Sequence, residues 1–183
     1  MGVFYYIIKA SSIRTTVENW YRDNIAPHTS LTNLISDTPY CNDMSEARIT
    51  NEFGAYDRLH SNDTNKYNPQ YKCPNSSHAY TVAKGVLTYL VRLLTADEVA
   101  YAGGASEVNN ESYYLYTGEG YWTMSPFYFS PAYMCIIYID GNLSQNNTSN
   151  TYGSVVPVIS LIEDAKVKKG TGLYNDPYVI YTN

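Results

Sequence analysis

The feature that most restricts what this chain can fold into is a gap in its pattern. From His28 to His78 the sequence shows no sustained apolar periodicity, and it is rich in Asn, Asp, Ser, Thr and Pro. So long an irregular stretch inside a compact domain carries function or is pinned by cross-links. It also breaks any regular alternation of helix and strand, which argues for α+β and against a parallel βαβ design. Within the gap, a short strand is expected near Asn51 to Leu59.

Cross-linking chemistry is at hand. Cys41 and Cys73 sit in the polar contexts PYCNDMS and YKCPNSS, whereas Cys135 lies in the apolar run MCIIYI. A Cys41–Cys73 disulfide would staple the gap by constraining the unfolded chain, and is favoured slightly over two free thiols. Cys135 reads as a buried thiol. His60 and His78 show no metal-ligand spacing with these cysteines, so no metal site is expected.

Ordered segments flank the gap. Phe4 to Ala10 is apolar and β-prone and reads as a first strand. Ser11 to Ile25 places Ile13, Val17, Trp20, Tyr21 and Ile25 near helical spacing, behind the capping candidates Ser11 and Ser12 and ahead of Pro27. Downstream, the apolar run Val86 to Leu94 leads into TADEVAYAGG. There Thr95 and Glu98 form a capping-box pattern, and Gly103 and Gly104 supply a left-handed stop. Strands are then expected at Ala79 to Val82, Tyr121 to Met124, Cys135 to Ile139, Val155 to Leu161 and Tyr178 to Tyr181. Tyr113 to Tyr116 alternates weakly, Asp140-Gly141 is a hairpin signal, and Asn142 to Tyr152 reads as a polar loop. A length of 183 residues suits one domain spanning 1–183.

Composition narrows the function classes. Charged residues make up 16% of the chain, the formal net charge is -5, and Lys plus Arg number 12 with no basic stripe, so no nucleic-acid partner is expected. No apolar run approaches the length of a membrane span. MGVFYYIIKASS lacks the basic start and cleavage site of a signal peptide, so an export signal would lie upstream of this sequence. Tyrosine is the outlier: 21 residues, against four Phe and two Trp. Tyr joins a large apolar face to a polar tip at low entropic cost, and surfaces rich in Tyr, Ser, Asn and Gly characterise antibody paratopes. Half-exposed β-strands use Tyr equally well.

The strings WYRDNI, LLTADEVAYAGG, YYLYTG, YWTMSP, VVPVISL and GTGLYNDPYVIYTN occur in this order. Together they resemble surface and phage-associated variable proteins that end in a C-type-lectin-like domain diversified by a retroelement. The resemblance runs from roughly Tyr5 to Tyr181, and YWTMSP followed by PVISL is its most specific part. The pattern is departed from at Leu90, Arg92 and Val156. The resemblance implies a C-type-lectin-like fold, related to that of formylglycine-generating enzymes, with paired terminal strands. Two helices would flank small antiparallel sheets with long irregular loops. It also implies a variable ligand-binding segment at approximately 121–161. Candidate contact residues there are Phe127, Tyr128, Phe129, Tyr133, Met134, Tyr138, Asn142, Ser144, Asn146, Asn147 and Ser149. Trp122, Ser125, Pro126, Gly141, Pro157 and Leu161 match framework positions.

Strand alternation would turn Ile137 and Ile139 inward and Ile136, Tyr138 and Asp140 outward. Phe127 and Phe129 read equally as core or contact, whereas contact is favoured for Tyr128, Tyr133 and Tyr138.

The sequence has no Walker loop, no GxGxxG, no HExxH and no nucleophile elbow. Asp97 and Glu98 fall in a helix first turn, where capping and the macrodipole account for them. His28, His60 and His78 lie in polar loops and read as solvated. The sugar-binding tripeptides EPN and QPD of lectins are absent, and Cys135 stands alone where the formylglycine-generating enzymes use a reactive pair. The expectation is a non-enzymatic adhesin or receptor domain without a cofactor. It would bind a protein or other macromolecular ligand, outside the cell, on a cell surface or on a virion. A fixed-specificity carbohydrate-binding module and a structural or phage-assembly domain are the alternatives.

Overall fold

A computed structural model describes residues 11–47, 51–60, 67–84, 87–128, 132–150, 152–173 and 175–181. The strand expected at Phe4 to Ala10 lies outside them. The architecture is mixed α+β, with short helices and, among the described residues, three small antiparallel sheets.

Helix α1 spans Ser12–Asn24, and the Ser11 hydroxyl accepts the Arg14 N–H at 3.4 Å as its N-cap. Its apolar stripe buries Val17 and Tyr21, while Ile13, Trp20 and Ile25 pack around them. Ile25 ends the helix two residues before Pro27. Helices α2 (Thr29–Thr32) and α3 (Gly54–Leu59) follow, and then α4 (Ala96–Tyr101).

Helix α4 realises the capping box: the Glu98 N–H donates to Thr95 Oγ1 at 3.1 Å, and the Thr95 N–H donates to Glu98 Oε2 at 2.9 Å. Arg92 adds a forked ion pair to Glu98, at 2.6 and 2.5 Å, and its guanidinium stacks 4.9 Å from the Tyr40 ring centroid. Arg92, a departure from the sequence pattern, is thus built into the helix start. Of the two glycines after α4, only Gly103 is left-handed, at φ 109. Gly104 is required for a different reason: a Cβ there would lie 2.6 Å from Val99 Cγ1.

Strands β1 (Tyr40–Cys41) and β2 (Ala79–Tyr80) pair across the long irregular stretch. The central sheet is β3 (Tyr121–Tyr128), β4 (Tyr133–Ile137) and β5 (Leu143–Asn147) in that order, all antiparallel. The β4–β5 register sets Ile137 opposite Leu143 and Tyr133 opposite Asn147. The turn between them contains Asp140-Gly141, with Gly141 at φ 75, where a Cβ would lie 1.8 Å from the Asn110 carbonyl oxygen. A separate ribbon pairs β6 (Lys166–Lys169) with β7 (Val179–Tyr181).

The central sheet is buried on both faces, which corrects the expected alternation. Cys135, Ile137, Tyr121, Phe127 and Leu143 pack with Leu59 and α4 in one cluster. Trp122 and Ile136 pack with Val17, Tyr21, Ile35, Val91 and Leu93 in the other. Ile136 therefore faces inward, not outward. Ile139, expected inward, lies past the strand end and is 61% exposed.

Several local expectations are revised. Within the strand expected at Asn51 to Leu59, Gly54–Leu59 forms helix α3 while Glu52 and Phe53 make only isolated bridges, and Arg58 near the helix end is drawn into a buried ion network. The Arg58 guanidinium reaches Asp97 through two bonds, at 2.9 and 2.8 Å, and Asp43 through a third, at 2.6 Å. Asp97 accordingly does more than complement a helix dipole. Tyr113 to Tyr116 closes a turn through a Tyr116 N–H to Tyr113 carbonyl bond of 3.0 Å. Val155 to Ser160 is half-buried and Leu161 exposed, and the segment is held by isolated bridges, Val158 to Arg92 and Leu161 to Ile35, not by a strand ladder. Asn142 to Tyr152 contains β5, whose polar residues sit at a sheet edge where burial on one side suffices.

Cys41 and Cys73 are joined in a disulfide, with Cα atoms 5.3 Å apart. Together with the Arg58 network it pins the irregular stretch. Among the described residues no helix is long and apolar enough to cross a membrane.

Candidate ligand-binding surface

The β4–β5 hairpin distributes the expected contact residues over both faces of the central sheet. Directly paired residues share a face, so Tyr133 lies with Asn147, Met134 with Asn146, and Ile136 with Ser144. All of these except Ile136 are half-buried. They are neither sealed in the core nor gathered into one patch.

Two aromatic groups result. In the first, Tyr128 and Tyr133 meet edge to face at 5.8 Å, and Tyr128 also packs on Phe127 at 4.6 Å and near Tyr56 at 6.2 Å. Phe127 is 3% exposed and edge-on to both Tyr56 and His60, which settles it as core. Phe129 lies outside the described residues. In the second group, Tyr138 packs near Tyr152 at 5.5 Å, and its hydroxyl donates to the Gln145 carbonyl at 3.1 Å.

The amides have local duties. Asn142 Oδ1 accepts the Glu107 N–H at 3.0 Å, Asn146 Oδ1 accepts the Asn147 N–H at 2.8 Å, and Asn147 Oδ1 accepts the Ser149 N–H at 2.9 Å. These bonds fix the amide orientation through the side-chain oxygens. Ser149 is exposed at the end of the segment.

Sequence reasoning missed the neighbours of the first aromatic group. Helix α3 brings Tyr56 and His60 to it, and Glu52 bridges Tyr128 backbone to backbone just before that helix. The spacing Phe53, Tyr56, His60 is helical and could have disclosed this face, had the segment not been read as a strand. Glu52 is 6% exposed, and its Oε2 has no hydrogen-bond partner. Burial raises its pKa, as does nearby Asp57, against an opposing hydrogen bond with Tyr128. Burial raises the Tyr56 hydroxyl as well, and the carboxylates of Glu52, Glu107 and Asp57 add to the effect.

Two histidines expected in solvent are partly enclosed. His60 Nδ1 contacts the Ser106 hydroxyl, and burial lowers its pKa against the pull of Glu107. His78 Nδ1 accepts the Met44 N–H at 3.1 Å and lies 3.6 Å from Asp43. His28 is exposed.

Cys135 is fully enclosed and its thiol is pushed up to about 12, so it is held protonated. Among the described residues no group of three or more His, Cys, Asp or Glu side chains is arranged to hold a metal ion. No family model matches the chain, and no match was found among curated proteins or solved structures.

Proposed function

We propose that this chain is a non-enzymatic ligand-binding domain with a C-type-lectin-like fold, working as an adhesin or receptor tip on a cell or phage surface. Its contact residues lie in the segment 121–161, where a retroelement diversifies them. The observation that carries the reading is the β4–β5 hairpin. Its inward residues Cys135, Ile136, Ile137 and Leu143 are fixed by two cores, while Tyr133, Ser144, Asn146 and Asn147 between them stay half-exposed. Such a frame lets rings and amides be exchanged while the backbone stays in place. A disulfide at Cys41–Cys73 suits an oxidising, extracellular setting.

The coding DNA tests this. Codons for Tyr133, Ser144, Asn146, Asn147 and Ser149 should align with adenines in a near-identical template repeat beside a reverse-transcriptase gene. A locus without such a repeat removes the diversification claim.

A second reading, a carbohydrate-binding module of fixed specificity, draws on a ring pair outside that segment. Tyr71 and Tyr101 are 81% and 56% exposed and meet edge to face at 5.9 Å. A glycan array decides between them: sugar binding abolished by Tyr71→Ala with Tyr101→Ala supports the second reading.

A further inference from the structure

Three of the chain's 12 Lys and Arg residues fall within the four residues of β6: Lys166, Lys168 and Lys169. So short a run makes no stripe in the sequence, and the register of the ribbon is what gathers it. Lys166 lies opposite Tyr181 and Val167 opposite Ile180, but Lys169, not Lys168, lies opposite Val179. The extra residue is a β-bulge, and it brings Lys169 to the face that carries Lys166, Tyr181 and Val179. Every residue of β6 is exposed, and among the described residues no ion pair engages the three lysines. The turn that follows is tightly built. A Cβ on Gly170 would lie 2.1 Å from the Pro177 carbonyl oxygen, and one on Gly172 would lie 2.6 Å from the Tyr178 ring. The Thr171 and Gly172 N–H groups both donate to the Asp176 carbonyl, each at 3.1 Å. On this closed turn Leu173 is 63% exposed, and Tyr178 is 46% exposed. Neither core of the domain accounts for a large apolar side chain held outward by fixed backbone, beyond a cluster of cations.

We propose that the β6–β7 ribbon docks the domain on an anionic phospholipid surface, with Lys166, Lys168 and Lys169 at the headgroup phosphates and Leu173 and Tyr178 in the interface. A lysine ammonium is a point charge suited to phosphate, and each basic residue near an anionic leaflet strengthens attachment. Apolar side chains settle at the boundary of headgroups and acyl chains, where a tyrosine ring with its polar tip is also at home. The pairing of the two residue types selects lipid: a soluble polyanion would take the lysines but leave Leu173 in water. Residues 166–181 hold three Lys against one Asp, a net of +2. The carboxylate of that residue, Asp176, accepts the Thr171 hydroxyl at 3.0 Å within the turn. The overall charge of -5 does not oppose this contact, because the acids are segregated: residues 93–165 hold eight Asp or Glu and no Lys, Arg or His. Of these, Glu163 and Asp164 precede β6, at its other end from the turn. Charges more than about 8 Å from the headgroups are largely screened at physiological ionic strength. The ribbon shares no residue with the segment 121–161, so its docking is independent of what the β4–β5 hairpin binds.

The test is co-sedimentation of the full chain with vesicles of phosphatidylcholine and phosphatidylglycerol in equal parts, beside vesicles of phosphatidylcholine alone. Binding to the anionic vesicles, weakened by added salt, is expected, with little binding to the neutral ones. Lys168→Gln with Lys169→Gln should weaken it about twenty-fivefold, from about fivefold for each lysine removed. Leu173→Ser should weaken it about tenfold through lost apolar contact. Arg22→Gln with Lys72→Gln, the same change of charge on other segments, should leave it unaltered. All of these side chains are exposed, so the substitutions leave both cores untouched. Absence of binding, equal binding to neutral vesicles, or equal weakening by the two paired substitutions overturns the proposal. Displacement by soluble polyphosphate together with no effect of Leu173→Ser overturns the lipid assignment in favour of an anionic polymer. None of these outcomes touches the ligand surface of the hairpin.

Discussion

Ile136 and Ile137, consecutive residues of β4, are both 0% exposed, one packed in each of two separate cores. A strand turns successive side chains to opposite faces, so two adjacent buried isoleucines require that the sheet be covered on both sides. Ile136→Ala and Ile137→Ala should then destabilise the fold alike, by about 2–5 kcal/mol each, as large-to-small changes in closed cores do. Denaturant unfolding measures this. A small loss for Ile136→Ala, of the size seen at surface positions, would mean that the α1 face is open.

Glu52 gives a stability prediction of opposite sign. Its pKa is raised, chiefly by burial, so the folded state prefers the protonated form. Its favourable contribution is complete below the ordinary carboxylate pKa and is lost as pH rises through the raised value. Glu52→Gln copies the protonated state. It should raise the thermal midpoint at neutral pH and leave it unchanged near pH 3. A lower midpoint at neutral pH would show that the ionised carboxylate is held by favourable bonds.

The Arg58 network should behave in the conventional way. Burial would raise the Asp43 pKa, but hydrogen bonds from Ser45 and Arg58 prevail and hold it below its ordinary value. Glu98 is likewise held low, by Arg92 and Thr95 against burial. Stability from both is present above the ordinary carboxylate range and is lost as pH falls through the depressed values. Arg58→Met would strand two buried carboxylates and should cost about 3–5 kcal/mol at neutral pH, with a smaller penalty in acid. Gly54→Ala probes the same spot sterically. Its Cβ would lie 2.9 Å from Asp43 Oδ2 and 3.0 Å from Arg58 Nη1, so a loss of about 1–3 kcal/mol is expected in the unfolding midpoint.

Reduction of the Cys41–Cys73 disulfide opens a loop with a sequence separation of 32. Chain-entropy reasoning gives a loss of about 3–4 kcal/mol. Unfolding with and without reductant, compared with Cys41→Ser plus Cys73→Ser, measures it. No difference between the reduced and oxidised protein would mean that the Arg58 network alone organises the stretch.

Legibility in the sequence followed the range of the interactions. Helices α1 and α4 were readable because their signals are local: Ser11 caps three residues away, and Thr95 and Glu98 cap each other. The hairpin at Asp140-Gly141 was readable because a left-handed position selects glycine. Helix α3 was misread because its decisive partners, Asp43 and Asp97, lie 15 and 39 residues from Arg58. Glu52 was overlooked for the same reason, since its burial depends on Tyr128, far along the chain. The facing of β4 failed because period-two reasoning presumes one solvated face, and Ile136 has none. Within the expected contact set, Tyr133 and Asn147 lie side by side, whereas Met134, Ser144 and Asn146 share the opposite face.

The proposed function depends most on the tolerance of the β4–β5 hairpin to exchange at its half-exposed positions. The direct measurement is the unfolding free energy of one chain carrying Tyr133→Asn, Ser144→Asn, Asn147→Tyr and Ser149→Asn together, set beside Ile136→Ala alone. The four-site variant should stay folded and lose less stability than the single core substitution. A loss equal to or greater than that of Ile136→Ala would mean these side chains hold the scaffold together, and a surface free to vary could not be built from them.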